Sequence, residues 1–432
     1  MIKSWLMALS LLITLLPWQA HALLTIEITG GSEAALPIAV VPFGNEGFAA
    51  PEDISEVIRN DLASSGRFAP LPKGDLISSP HDKSEINFKD WRLLRSEGLL
   101  VGKVSSVDGE TYQVQFQLFD VYKSQQLIGK RYQVPASGLR RLAHQISDLI
   151  YQTLTGEVGV FSTRLAFVSV VNTPAGQKRY ALQVSDADGA NPRSVLQSKQ
   201  PILSPSWSPD GERLSYVSFE NGKAEVFVQE MRSGRRDSVA AFKGLNSAPS
   251  WSPDGKKLAL TLSKAGNPEI YVLELASGKL SRVTHNSQAI DTEAVWMPNG
   301  RELLFTSDRG GRPQIYKVSA DGGRASRVTF EGRYNASADI SADGRFMTMV
   351  HGLNGKYYIA VQDLDSGAVQ VLTETGQDES PSFAPNSRNI LYATEQNGKG
   401  ILAAVSVDGR IHQRLGESGS DVREPAWSPI RK

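Results

Sequence analysis

The chain contains no cysteine. This excludes disulfide staples, thiol catalysis and cysteine-based zinc sites. It also lacks a surplus of charge: Lys plus Arg and Asp plus Glu number 46 each in 432 residues. No global field therefore draws the protein to nucleic acid or to an anionic membrane. Apolar runs are short, and the one at Leu6–Leu16 falls far below the ~20 residues of a membrane-spanning helix. Histidine is scarce as well. His81, His144, His285, His351 and His412 follow residue 22 without i,i+4 spacing, which argues against a metal cluster. No Gly-rich phosphate loop occurs, and Gly416–Ser420 is one step out of register for a Gly-x-Ser-x-Gly nucleophile elbow. Neither a cofactor nor a bound metal is expected.

What is present first is an export signal. Lys3, the apolar run and Ala20-His21-Ala22 have the charge, core and small-residue order of a cleaved leader over residues 1–22. The mature chain then begins near Leu23, is exported and, in a double-membraned bacterium, lies in the periplasm.

A repeat organises the rest. Pro-Ser-Trp-Ser-Pro-Asp-Gly stands at Pro205–Gly211 and at Pro249–Gly255. It drifts through Val295–Gly300, Asp339–Gly344 and Pro381–Asn386 to Pro425–Pro429. The large apolar residue falls at 207, 251, 296, 340, 383 and 427, so the intervals are 44, 45, 44, 43 and 44. Repeats of ~40–50 residues built from short strands are propeller blades. Pro-Asp-Gly suits a type I turn. The strand-like runs Lys257–Leu262, Glu269–Leu275 and Leu280–Thr284 complete one four-stranded blade. Arg164–Val170 matches a second strand with no motif strand before it, while the last motif has nothing after it. The C-terminal strand should therefore close the first blade of a six-bladed ring over residues 161–432.

Residues 33–160 read as a small α/β domain, with residues 23–32 as an extended arm before it. Pro37–Phe43 is a buried strand; Pro51–Ser65 and Asp90–Ser96 are helices. Leu99–Val104, Thr111–Tyr122 and Gln126–Val134 form a partly antiparallel sheet, with Asp108-Gly109 as a hairpin turn. Leu139, Leu142, Ile146, Leu149 and Ile150 line a closing amphipathic helix that ends near Thr155.

The recurrent acids Asp210, Asp254 and Asp343 share one turn position, so turn chemistry explains them better than catalysis does. Asp186–Gly189 resembles the start of a calcium loop, but it lacks the later glutamate and falls where other repeats turn. The tryptophans at 207, 251, 296 and 427 pack between blades. What varies is the set of loops entering the motif strands, all on one face: 200–204, 244–248, 289–293, 333–338, 376–380 and 420–424. Their rim carries Asp291, Glu293, Arg333, Asp378, Glu379, Arg423 and Glu424. Divergent polar loops on a rigid scaffold are where binding resides.

This arrangement, with Leu36–Phe43, Ala50–Ile54, Ser307–Val318 and Pro425–Pro429, resembles the TolB family of the bacterial Tol–Pal system. The resemblance implies a monomeric, non-enzymatic periplasmic adaptor that supports outer-membrane integrity and constriction during division. It implies binding of the lipoprotein Pal, and through Pal an association with the outer membrane. The Pal contacts would be Asn246, Ala248, Thr292, Glu293, Asn335, Asp378, Glu379, Ser380 and Arg423, with Leu245 departing from an expected histidine. It also implies binding of TolA through the arm residues Leu23, Leu24, Thr25, Ile26, Glu27 and Ile28. Two rival readings stay open: a propeller enzyme acting on periplasmic glycans or peptides, which needs converging carboxylates or histidines in the channel, and a small-ligand or metal sensor.

Overall fold

The structure is a computed structural model that describes residues 35–45, 47, 50–415 and 420–431. The export signal and the arm residues Leu23–Ile28 lie outside the described residues.

The amino-terminal part runs β1 (Leu36–Val40), α1 (Ile54–Ser64), β2 (Phe68–Pro70), α2 (Phe88–Leu93), β3 (Gly98–Ser106), β4 (Thr111–Asp120), β5 (Gln125–Pro135) and α3 (Leu139–Thr155). The sheet order is β2-β1-β3-β4-β5. β1 pairs in parallel with β2 and β3, and the remaining pairs are antiparallel. β1 is apolar on both faces because each face is covered. Ile38 and Val40 pack with α1 and α3, while Ala39 and Val41 join Trp91, Leu99 and Phe119 on the other side. α1 starts at Ile54 rather than Pro51 because the Asp53 carboxylate caps it, accepting from the Glu56 amide at 3.1 Å. α2 likewise starts earlier than its apolar residues suggest, since Asn87 caps it by accepting from the Lys89 amide. Three-residue β2 has too little sequence to announce itself. Gly156, at φ +76°, ends α3 in the left-handed conformation.

The rest is a ring of six four-stranded sheets. Blade 1 contains β6 (Arg164–Asn172), β7 (Lys178–Asp186), β8 (Arg193–Ser198) and, innermost, the C-terminal strand Asp421–Trp427. That strand pairs antiparallel with β6, Trp427 opposite Leu165, and closes the ring as expected. The innermost strands of blades 2 to 6 are Ile202–Trp207, Asn246–Trp251, Asp291–Trp296, Tyr334–Ile340 and Glu379–Phe383.

The motif residues do what turn and packing chemistry asks. The Gly211 amide donates to the Ser208 carbonyl at 2.8 Å, and Asp210 accepts from the Ser208 hydroxyl and the Glu212 amide. The tryptophans tie neighbouring blades together. The indoles of Trp207, Trp251 and Trp296 donate to the carbonyls of Ala426, Ser206 and Ser250, each on the preceding blade's innermost strand. Arg164 stacks over Trp207 at 4.6 Å and Arg213 over Trp251 at 4.5 Å. Each guanidinium also donates to the turn of the next blade, at Gly211 and Gly255. Among the described residues no helix is long and apolar enough to cross a membrane.

Candidate functional site

Each innermost strand starts on one face, at the rim of the central channel, and runs toward the Pro-Asp-Gly turns on the other. The amino-terminal domain sits on the turn face, where Arg388 pairs with Glu157 at 2.6 Å and Asn386 donates to the Val158 carbonyl. Among the described residues, the amino-terminal domain leaves the opposite, loop face open.

A backbone irregularity repeats around that face. Ser204, Ala248, Glu293, Ser337, Ser380 and Glu424 all have φ between +48° and +54°. Pairing with the second strand shifts register in every blade at this position. Six non-glycine residues in the left-handed region, at about 1–3 kcal/mol each, form a ring of bulges. Such bulges re-aim side chains beside functional sites. Here they line the mouth of a channel of about 420 Å³.

Carboxylates do converge in that channel. Glu424 of blade 1 accepts from the Ser204 amide of blade 2. On the facing side, Glu293 of blade 4 accepts from Thr306 Oγ1 at 3.0 Å and from the Ser337 amide of blade 5 at 3.1 Å. Burial pushes Glu424 up to about 7; the Ser204 amide opposes this, while Glu379 and Glu293 reinforce it. Asp339, accepting from the Phe383 amide at 2.7 Å, is pushed up to about 6 by burial. These acids bridge adjacent blades, so each already has a bracing role.

The sequence-predicted contact residues divide into two groups. Ala248, Thr292, Glu293 and Ser380 are half-buried at the bulge ring, and Glu379 and Arg423 are exposed on the rim. Arg423 pairs with Asp421 at 2.9 Å. Asn246, Asn335 and Asp378 are placed differently, at 0–1% exposure beneath the face. Asn246 accepts from the Phe242 amide and donates back to the Phe242 carbonyl. Asn335 donates to Gln314 Oε1 and the Glu331 carbonyl, and lies 2.8 Å from His351 Nδ1. Asp378 accepts from the Thr373 and Thr375 hydroxyls. These three fold the entering loops; they do not present themselves to a partner. In blade 4 the same place is held by Asp291, paired at 2.7 Å with Arg309, while Asp308 accepts from the Ile290 amide.

Apart from Leu245, sequence reasoning passed over an apolar element of the same face. Leu245, Ile290, Phe330, Leu353 and Tyr357 lie in loops or hairpins that reach this rim and are 38–74% exposed. Tyr357 packs edge-on against Tyr334 at 5.1 Å. Large apolar residues inside otherwise polar loops were the available signal.

Comparison with known proteins gives one consistent result. Residues 151–431 match the family described as the TolB beta propeller domain, and residues 24–127 the TolB amino-terminal domain. The chain is 62% identical over 423 residues to the Tol-Pal system protein TolB of Nitrosococcus oceani, covering 97% of each chain. Against that of Methylobacillus flagellatus it is 53% identical over 413 residues, covering 95% of this chain and 94% of the relative. The crystal structure of TolB from Acinetobacter baumannii superposes with a TM-score of 0.85 at 41% identity, covering 94% of this chain and all of that one.

Proposed function

Since the chain belongs to the TolB family of Tol-Pal system proteins, we propose that it is a non-enzymatic periplasmic adaptor. Its loop face takes the lipoprotein Pal, its arm Leu23–Ile28 takes TolA, and the pair of contacts supports outer-membrane integrity and constriction at division. The observation that carries the Pal assignment is the composition of the open face. Exposed Leu245, Ile290, Phe330, Leu353 and Tyr357 stand beside charged Glu379 and Arg423 on a backbone braced between blades. An apolar patch with a polar rim is the usual anatomy of a protein interface. In this reading Ala248, Thr292, Glu293, Glu379, Ser380 and Arg423 meet the partner, and Asn246, Asn335 and Asp378 hold the loops that do.

Calorimetric titration of residues 23–432 with a soluble Pal domain tests this. The parent should bind, and Thr292→Arg and Phe330→Ser should each weaken binding by at least tenfold without lowering the melting temperature. Absence of binding by the parent across several salt and calcium conditions would overturn the assignment and favour a channel enzyme or sensor.

A further inference from the structure

The two domains meet through a cluster of titratable groups to which the adaptor role assigns nothing. Asp61 on α1 is 3% exposed and His144 on α3 is 2% exposed. Asp61 Oδ2 and His144 Nδ1 are 2.8 Å apart. The turn after β7 brings Asp188 of blade 1 to them, so that one side-chain atom from each of the three lies within 4.8 Å of the others. Asp61 and Asp188 also line a small cavity at the junction, with Tyr151, Asn386, Arg414 and Trp427.

Acidic and basic groups from both domains surround the pair. Arg140, one helical turn before His144, donates to Glu52 and Asp186 at 3.3 Å and also to Asp188. Asp148, one turn after His144, accepts from the Phe161 and Ser162 amides at 2.7 and 3.2 Å in the segment joining the domains. Asp61 from α1 and Asp188 from the β7–β8 turn act directly on His144, while Glu52 before α1 and Asp186 at the end of β7 pair with Arg140. Arg140 on α3 opposes them at His144, and Arg414 lines the adjoining cavity with Asp61 and Asp188.

We propose that this junction is a proton-linked latch, in which a proton held between His144 and Asp61 is taken up as the amino-terminal domain docks on blade 1 and its loss at higher pH loosens the docking. The titration directions agree with the geometry. Burial pushes Asp61 up against the pull of His144. Burial alone would push His144 down, but Asp61 and Asp188 outweigh it, with Arg140 opposing, and the net direction is up. Asp61 and His144 belong to one domain; what docking adds is Asp188 of blade 1, whose charge pushes both of them up, so the docked state holds the proton more tightly. A value raised on docking stabilises fully below the ordinary histidine value of 6.5 and ceases to do so as pH rises through the raised value. Asp148, pushed up from 3.8 to about 6 by burial against its amide donors, loses its own contribution at lower pH, so the window above 6.5 belongs to the His144–Asp61 pair.

The absence of cysteine makes the test direct, because Lys89→Cys and Lys256→Cys place a fluorescent donor and acceptor at exposed sites on the two domains. In residues 23–432, energy transfer should be constant just below the ordinary histidine value and shift as pH is raised toward about 9. The shift should vanish in His144→Gln and in Asp61→Asn, with circular dichroism reporting that both are folded. A flat parent profile, or a transition that persists in both variants, would overturn the latch. Nuclear magnetic resonance titration of the parent keeps the test decisive where a variant misfolds: the His144 midpoint should lie above 6.5, and a midpoint at or below it rejects the idea. A shift produced by zinc chloride at fixed pH and reversed by chelator, with no pH transition, would replace the proton by a cation.

Discussion

Asn246, Asn335 and Asp378 occupy one position, within one residue of the head of three innermost strands, and almost none of their surface reaches solvent. A polar residue in a loop between strands ordinarily signals exposure, but these side chains turn inward and satisfy loop amides, carbonyls and hydroxyls. The roles of neighbours differ accordingly. Asn335→Ala would leave Gln314 Oε1, the Glu331 carbonyl and His351 Nδ1 without this partner. A buried group so orphaned costs about 1–3 kcal/mol, so the expected outcome is a lowered melting temperature by calorimetry. Weaker Pal binding would then come from loop disorder. Thr292→Arg, half-buried at the rim, should instead cost binding and spare stability; the reverse pairing of effects would show that contact and support have been assigned to the wrong residues.

Within a blade, stability depends on how each sheet is joined to the next. Indole donors and Arg–Trp stacking link the innermost strands of blades 1 to 4, and the C-terminal strand closes the ring through the Trp427 amide, which donates to Ser382 Oγ of blade 6 at 3.0 Å, and through its pairing with β6. Removing that strand leaves β6 as an open edge and uncovers Leu165 and Phe167, which are now 0% and 6% exposed. Open apolar edges template aggregation. A chain ending before residue 416 is therefore expected to lose the single cooperative thermal transition and to elute as aggregate on gel filtration. Retention of the parent melting temperature would mean that blade 1 is complete without its borrowed strand.

At the scale of the molecule, the described part of the amino-terminal domain covers part of the turn face, and the loop face is the one proposed for a partner. Two partners on one adaptor can be coupled through the domain junction between them. If Pal favours a state in which the arm is held by its own domain, Pal must weaken TolA binding, and TolA must weaken Pal binding by the same factor. Typical couplings of this kind are about 5–150-fold. Titrating TolA into the protein with and without saturating Pal measures the factor, and equal affinities would dismiss the coupling.

The sequence alone determined the number of blades, the closing strand, the turn chemistry and the inter-blade role of the tryptophans. All of these follow from local rules repeated at an interval of 43–45 residues, and repetition separates such a rule from chance. It also pointed to the face proposed here for binding, because the loops that escape the repeat are visible as departures from it. Tertiary structure alone decided which rim residues point outward, since burial of Asn335 or Asp378 depends on His351 or Thr373, residues that no local pattern links to them. The same holds for the His144–Asp61–Asp188 cluster. Its members stand 83 and 44 residues apart along the chain, and only the docking of one domain on the other brings them together.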